Sequence, residues 1–210
     1  LVKSSENTIG RNTLLNTGKG ILLQSAMKNT IYGNNITNSS HAGIALESSS
    51  DNLIEENIVA KNLIGIELDK YSFSNLIFRN NFDNTENVIS KSANSVWSSP
   101  NPFTYTYLGN NKQSYMGNYW RDYRGKDKNG DGIGDSSYII GVNPNAIPEY
   151  NQTINDEFPL MDPFSYYHDV VPFKGGITTA QPMPLPTFLG ISQTSYTPTP
   201  TPDTTPISSS

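Results

Sequence analysis

One short loop of this 210-residue chain concentrates oxygen-bearing side chains. Residues 127–135 read DKNGDGIGD, which puts oxygen side chains at loop positions 1, 3, 5 and 9 and a glycine at position 6, where a metal-binding loop turns sharply. Because hard cations prefer oxygen ligands, the spacing predicts a Ca²⁺ site. Its predicted ligands are Asp127, Asn129, Asp131, the carbonyl of Ile133 and Asp135. The alternative is a metal-free turn, since the same residue types favour tight turns.

Three carboxylates lie in or directly after two similar runs, GIAL and GIEL. If these runs stack in register, Glu47 lies above Asp69 at about one strand spacing, and Glu67 points outward from the same strand as Asp69. Two carboxylates about 5 Å apart suit a retaining glycosidase. Glu47, Glu67 and Asp69 are therefore the candidate catalytic residues if the chain is a polysaccharide lyase or a glycoside hydrolase. The aligned positions hold Gln24 and Ser90, which favours solvated turn residues and a non-catalytic chain.

Aromatic residues crowd into the segment from Trp97 to Tyr123. Pyranose rings stack on aromatic faces while their hydroxyls bond amides and carboxylates, so this segment is a candidate sugar-binding platform. Tyr105, Trp120 and Tyr123 are the residues that we expect to be partly exposed and to bind the ligand. The alternative is a structural cap, because the open end of a repeat protein exposes an apolar cross-section and unpaired strand edges.

Composition excludes several classes of function. The net charge of −5 comes without a Lys/Arg cluster, so we expect no nucleic-acid partner. No stretch of about 18 apolar residues occurs, and we expect neither a membrane span nor a signal peptide. The chain has no cysteine, which excludes disulfides and thiolate metal sites.

The elements that position these residues come from a repeat of 22 to 23 residues in the first part of the chain, where residues 1–94 hold 16 of the 25 asparagines. Each copy holds three very short strands separated by Asn or Gly, with apolar residues at alternate positions. Stacking the copies predicts three inward apolar columns and hence a parallel β-helix. The columns are Ile9, Ile31, Ile54 and Ile77; Leu14, Ile36, Val59 and Phe82; and Ile21, Ile44, Ile66 and Val88. We interpret the repeated asparagines as corner ladders and not as ligands, because their amides can donate to one copy and accept from the other.

The repeat, the segment MGNYWRDYRGKDKNGDGIGD at residues 116–135 and the later DEFPLM at residues 156–161 resemble the NosD-like group of right-handed parallel β-helix proteins. The resemblance covers roughly residues 5–163. It implies a carbohydrate-binding or sugar-hydrolase type of β-helix, often on archaeal cell surfaces. The namesake of the family delivers copper to a periplasmic reductase. Copper is disfavoured here, because the chain offers no cysteine, two histidines (His41 and His168) and four scattered methionines.

The predicted fold is therefore all-β: a right-handed, single-stranded parallel β-helix of about four to five turns. We expect the β-helix over residues 1–98, a calcium-stapled aromatic cap over 99–163, an extended segment over 164–193 and a Thr/Ser/Pro-rich stalk over 194–210. The stalk and the three N-x-S/T sequons at Asn35, Asn38 and Asn151 predict a secreted glycoprotein at the cell surface.

The most direct functional prediction is a non-catalytic module that binds extracellular glycan or forms part of the cell envelope. The first repeat begins close to Leu1 without a capping segment before it. We therefore expect either missing N-terminal turns or contact with another copy of the chain, stacked end to end in a surface layer or filament.

Overall fold

The computed structural model describes residues 1–92, 94–142 and 153–173, and this part of the chain is built from short strands. The strands of the repeats are β1 (Thr8–Gly10), β2 (Thr13–Leu15), β3 (Ile21–Gln24), β4 (Thr30–Tyr32), β5 (Asn35–Thr37), β6 (Ala42–Glu47), β7 (Leu53–Glu55), β8 (Ile58–Ala60), β9 (Ile64–Leu68), β10 (Leu76–Phe78), β11 (Asn81–Asp83) and β12 (Glu86–Ser90). The later strands are β13 (Phe103–Tyr107), β14 (Asn110–Ser114), β15 (Tyr119–Trp120), β16 (Tyr138–Val142), β17 (Thr153–Asp156) and β18 (His168–Pro172), with a 3₁₀ helix at Phe164–Tyr166 before β18. Within these residues, no helix has the length and apolar character needed to cross a bilayer.

The repeats form a β-solenoid with three parallel sheets. The first sheet has the order β1-β4-β7-β10, the second β15-β11-β8-β5-β2 and the third β12-β9-β6-β3. Each turn of the chain contributes one strand to each sheet, and equivalent strands of successive turns pair in parallel. The predicted all-β parallel β-helix of about four turns is therefore confirmed.

The three predicted apolar columns are confirmed residue by residue. Ile9 pairs with Ile31 in the first sheet, and the series continues through Ile54 to Ile77. The second sheet aligns its column in the same way and extends it from Phe82 to Trp120. Most inner members of these columns have no exposed surface, so the columns form the main core of the solenoid.

Ladders of asparagine satisfy the backbone at the corners between sheets. Asn34 shows the geometry: its Oδ1 accepts bonds from the backbone N–H and the Nδ2 of Asn12, both at 3.0 Å. Its own N–H and Nδ2 donate to Asn57 Oδ1 one turn later, at 3.0 and 2.9 Å. The same pattern runs on through Asn80 to Asn118. These buried amides are fully used by the scaffold, as the sequence predicted.

The corners also require left-handed backbone at residues other than glycine. Asn16, Asn38 and Lys61 occupy the same corner of successive turns with φ of 55°, 58° and 58°. Asparagine adopts this conformation more readily than lysine does, because its short side chain bonds locally. Lys61 is therefore less suited to the backbone of this corner than Asn16 and Asn38 are.

A cap closes the C-terminal end of the solenoid. β13 pairs in antiparallel fashion with β14 and β18, and β16 pairs with β17. Through β18 and the 3₁₀ helix, residues 164–173 contribute to this cap, because β18 is hydrogen-bonded to β13. The remainder of the predicted extended segment 164–193, from residue 174 onward, and the stalk from 194 to 210 lie outside the described residues.

Two asparagine ladders end on a carboxylate at the cap. Asp156 Oδ2 accepts bonds from the N–H of Asn118 at 2.7 Å and from Trp120 Nε1 at 2.9 Å, and Asp156 has no exposed surface. Burial raises the pKa of Asp156 to about 7, against the opposing effect of these hydrogen bonds. In a second ladder, Asn87 Nδ2 donates to Asp122 Oδ1 at 2.7 Å. A carboxylate suits this place because each ladder presents N–H donors toward its C-terminal end.

Candidate functional site

The outer surface of the third sheet carries the predicted acidic residues. Register pairs Gln24 with Glu47 and Ala45 with Glu67, so both glutamates stand on the outward side of neighbouring strands. Asp69 follows β9 directly, and its backbone N–H donates to the carbonyl of Leu46 at 3.1 Å. The structure therefore brings Glu47, Glu67 and Asp69 to one surface. We call these three residues, together with Lys19 and His41, the acidic face.

Every carboxylate of the acidic face has a protein partner. Lys19 forms an ion pair with Glu47, and Gln24 donates to the same carboxylate at 3.0 Å. His41 Nε2 lies 2.9 Å from Glu67 Oε2. The catalytic alternative needs one carboxylate to act as an acid and another as a nucleophile or base, and ion pairing opposes this role. Lyase or hydrolase activity at this face stays a prediction without geometric support.

Asp69 has a structural role in the corner after β9. Its carboxylate accepts bonds from the N–H of Ser48 at 3.0 and 3.1 Å and from the N–H of Tyr71 at 3.0 Å. Ser72 Oγ donates to it at 2.7 Å. Asp69 thereby fixes the corner that continues the acidic face toward the first sheet.

That corner exposes two aromatic side chains, Tyr71 and Phe73, which we call the aromatic corner. Tyr71 is 58 % exposed and Phe73 is 51 % exposed. Lys70 Nζ lies 4.8 Å from the centre of the Tyr71 ring. Aromatic faces beside fixed carboxylates and an amine form a surface that can contact the C–H face and the hydroxyls of a sugar.

The aromatic corner was not predicted from the sequence, although a signal for it was present. Leu46 pairs with Leu68, a step of 22 residues, whereas the corner asparagines Asn52 and Asn75 are 23 apart. One additional residue therefore lies between β9 and the next corner asparagine. The step between equivalent glycines, Gly43 and Gly65, is also 22. Comparing these steps locates the longer corner, and an insertion in a repeat commonly marks a surface loop.

The predicted sugar platform in the cap is not exposed. Tyr105 is 2 % exposed and Trp120 is 1 % exposed, so the expectation that these rings face solvent is wrong. Trp120 stacks between Phe82 and Tyr138, with ring centres 4.7 and 4.5 Å away. Tyr123 is partly exposed, as expected, and its hydroxyl donates to the carbonyl of Ser136. The physical reason for Trp120 is that the open solenoid end presents an apolar cross-section, which its ring covers.

The Tyr105 ring belongs to a second core under the cap. Its hydroxyl donates to the carbonyl of Asp131 at 2.9 Å, and its ring lies 5.6 Å from that of Tyr167. Tyr167 in turn donates to the carbonyl of Gly132. Burial raises the pKa of both phenols above the ordinary tyrosine value. These bonds anchor the Asp-rich loop to the cap.

The side chains of the Asp-rich loop bond to the loop's own backbone. Asp127 accepts bonds from the N–H groups of Asp131 at 3.1 Å and Gly132 at 2.8 Å. Lys128 N–H donates to Asp135 at 2.9 Å. The remaining predicted ligands follow this behaviour: Asn129 accepts from the N–H of Asp131, and Asp131 accepts from the N–H of Ile133. The loop therefore has the hydrogen bonding of a tight turn.

Comparison with known families completes the description. The family model described as "Periplasmic copper-binding protein (NosD)" matches residues 1–125 of this chain. The chain belongs to the NosD family. No curated protein matches it. The predicted resemblance is confirmed at this level, whereas its archaeal and sugar-hydrolase aspects are not shown by the match.

The calcium prediction is wrong. The metal in the description of the NosD family is copper. Among residues 1–92, 94–142 and 153–173, no group of three or more His, Cys, Asp or Glu side chains is placed to hold a metal ion. The Asp-rich loop misled the sequence analysis because the residue types that ligate calcium also form turns.

The described residues of this NosD-family chain do not assemble a copper site either. His41 is engaged by Glu67, and His168 lies on β18 in the cap. Met116 is fully buried among the tyrosines of the second core, and Met27 is exposed at a corner of the solenoid. His41, His168, Met27 and Met116 therefore lie on different elements, whereas a copper site needs several such ligands around one point.

The predicted glycosylation sites lie partly within the described residues. Asn35 and Asn38 are both exposed, at the start of β5 and at the corner that follows it. Asn151 lies outside the described residues. Glycosylation stays a prediction at all three sequons.

Proposed function

We propose that this chain is a non-catalytic module of the cell envelope that binds glycan through the aromatic corner and the adjoining acidic face. The observation that carries the proposal is the pair of exposed rings at Tyr71 and Phe73 beside the fixed carboxylate of Asp69. Large exposed aromatic side chains on a rigid scaffold commonly mark a binding surface. The family description as periplasmic supports a location outside the cytoplasm. A location on the cell surface and N-glycosylation at Asn35 and Asn38 are part of the same proposal.

The chemistry of the surface supports binding more than catalysis. The C–H face of a pyranose packs on Tyr71, and its hydroxyls reach carboxylate oxygens that keep lone pairs beyond the bonds described above. The Lys19–Glu47 and His41–Glu67 pairs hold these oxygens in place. The Lys19–Glu47 ion pair also offsets charge on this surface, so we expect neutral sugars to bind in preference to polyanions.

Retention on immobilised polysaccharides tests the proposal. The chain is passed over cellulose, chitin, mannan and polyuronate matrices, and the eluate is assayed for shortened products. We expect retention on at least one neutral polysaccharide and no new reducing or unsaturated ends. The double variant Tyr71→Ala/Phe73→Ala should weaken binding about tenfold or more, because stacking contributes about 1 kcal/mol per ring.

Tyr166→Ala is the matched control, since Tyr166 is 53 % exposed but lies on the 3₁₀ helix of the cap. It should leave retention unchanged. Equal loss in the control and the double variant would contradict the assignment of the site. New reducing or unsaturated ends would overturn the non-catalytic proposal, and Glu47, Glu67 and His41 would then be the first residues to replace.

A further inference from the structure

The outer surface of the first sheet carries a second arrangement of aromatic and acidic residues, separate from the third sheet. Register aligns Gly10, Tyr32, Glu55 and Phe78 as one outward column on β1, β4, β7 and β10. Neighbouring strands in a sheet lie about 4.8 Å apart. The Glu55 side chain therefore stands between an aromatic residue of the preceding turn and one of the following turn.

The aromatic residue on the N-terminal side of Glu55 leans toward the first turn. The ring of Tyr32 occupies the space that a Cβ at Gly10 would need, so a larger residue at position 10 would displace the ring. The guanidinium of Arg11 lies 5.6 Å from the centre of this ring. Tyr32 remains partly exposed, and its ring lies over Gly10 on the strand that neighbours it, while Glu55 is its partner in register on the other side.

The aromatic residue on the C-terminal side is held by the cap. Phe78 is 4 % exposed, and its ring centre lies 6.2 Å from that of Phe103. Arg79 stacks on Phe103 at 5.5 Å and forms an ion pair with Glu56 at 2.8 Å. Arg79, the cation near Glu55, is thus paired with Glu56 and stacked on the Phe103 ring.

Glu55 itself has no hydrogen-bond or ion-pair partner among the residues that the structure describes. It differs in this respect from Glu47 and Glu67, which are both paired. Burial raises the pKa of Glu55, repulsion from Glu56 adds to the effect, and Arg79 opposes it. A half-buried carboxylate that no protein group occupies is open to hydroxyl donors from a ligand.

We propose that Glu55 and Tyr32 form a second sugar-binding subsite, which takes one pyranose unit with free hydroxyl groups. This inference rests on the proposed glycan binding and extends it to a different sheet of the solenoid. The hydroxyls donate to the Glu55 carboxylate, and the C–H face of the sugar packs against Tyr32. Two subsites on different sheets allow one molecule to contact two strands of a polysaccharide, which raises retention through avidity.

The test uses cellohexaose, chitohexaose and mannohexaose as soluble probes and measures Kd by calorimetry for the full chain. Glu55→Gln keeps the shape of the side chain but removes its charge, and we expect it to weaken binding at this subsite about tenfold. Glu6→Gln removes the same charge at an exposed corner of the first turn and should change nothing. A second readout is labelling of carboxyl groups by a water-soluble carbodiimide. The bound hexaose should protect Glu55 from labelling and leave Glu6 reactive.

The outcomes separate this inference from the proposed function. If Tyr71→Ala/Phe73→Ala weakens hexaose binding while Glu55→Gln does not, and Glu55 stays reactive, the second subsite is wrong and the proposed function stands. If Glu55→Gln alone weakens binding and Glu55 is protected, the second subsite stands and the aromatic corner is wrong. If the unmodified chain binds none of the three hexaoses, both proposals are contradicted.

Discussion

The solenoid and the cap satisfy their buried polar groups in different ways. In the solenoid, most buried asparagines bond to their equivalents one turn away, as Asn57 does with Asn80, 23 residues later. In the cap, partners come from distant and unrelated positions: Asn118 bonds to Asp156 across 38 residues and Tyr107 to Asp162 across 55. The contacts within a repeat can therefore be predicted from its period, because each turn interacts only with its neighbours. A cap has no such period, and its contacts cannot be counted off along the chain.

The two regions meet where the solenoid's periodic series continue into cap residues. The second apolar column passes from Phe82 to Trp120, and the ladder from Asn80 passes to Asn118. Both series then end, on Tyr138 and on Asp156 respectively. The cap thus completes a partial fifth turn and terminates it. The following four predictions test this comparison, beginning with the largest expected effect.

Trp120→Ala should cost about 4 to 5 kcal/mol of unfolding free energy, because it leaves a cavity between two stacked rings and removes the Nε1 bond to Asp156. Urea denaturation followed by circular dichroism measures this loss. Phe73→Ala removes an exposed ring and should cost about 0.5 kcal/mol or less. Similar losses in the two variants would show that the cap does not close the solenoid end.

Asp156 should make stability depend on pH. Its pKa is about 7 in the folded chain against an ordinary value of 3.8, so between these values the folded state binds the additional proton. Stability therefore falls as pH rises from about 4 to about 7, by at most about 4 kcal/mol, and the effect is complete above the folded pKa. Denaturation midpoints across this range, compared between the unmodified chain and Asp156→Asn, isolate the contribution. Asp83→Asn changes an exposed carboxyl and should keep the slope, whereas an unchanged slope in Asp156→Asn would refute the assignment.

Asn57→Ala should cost about 3 kcal/mol, since it leaves the N–H of Asn34 and the carbonyl of Ile31 without their bonds in a fully buried position. The matched control is Asn12→Ala in the same ladder. Asn12 is exposed in the first turn, so water replaces its bonds and the expected cost is about 1 kcal/mol or less. Urea denaturation of both variants measures the difference. Equal costs would mean that burial does not set the strength of the ladder.

Lys61→Asn should stabilise the chain by about 0.5 kcal/mol, because Lys61 has φ 58° and asparagine tolerates this backbone better. The two preceding turns already have asparagine at this corner, at positions 16 and 38. Thermal unfolding detects a gain of this size as a rise in Tm. Lys112→Asn is the control: Lys112 lies in β14 with extended backbone, so the same exchange should give no gain.

In the candidate site, too, the contacts that follow the repeat were predictable from the sequence, and those that do not follow it were not. The register of Glu47 and Asp69 followed from the repeat, and the structure brings them together. The partners of these acids did not follow, because Lys19 reaches Glu47 from 28 residues away and His41 reaches Glu67 from 26, neither of which is a repeat step. Residue types alone also could not distinguish a turn from a calcium site in the Asp-rich loop.

The sequence by itself determined the solenoid: a strict period of 22 to 23 residues places equivalent apolar and asparagine positions on top of one another, and burial then leaves one register. Only the tertiary structure decided which aromatic rings are buried and which carboxylates are paired. Tyr105 and Trp120 are covered by residues far along the chain, whereas Tyr71 is exposed by a single additional residue in one corner. The sequence does not distinguish Glu55 from the other outward residues of the repeat. Among the described residues Glu55 has no partner, because the nearby Arg79 forms its ion pair with Glu56. Exposure and pairing depend on contacts between distant segments, which no local pattern encodes.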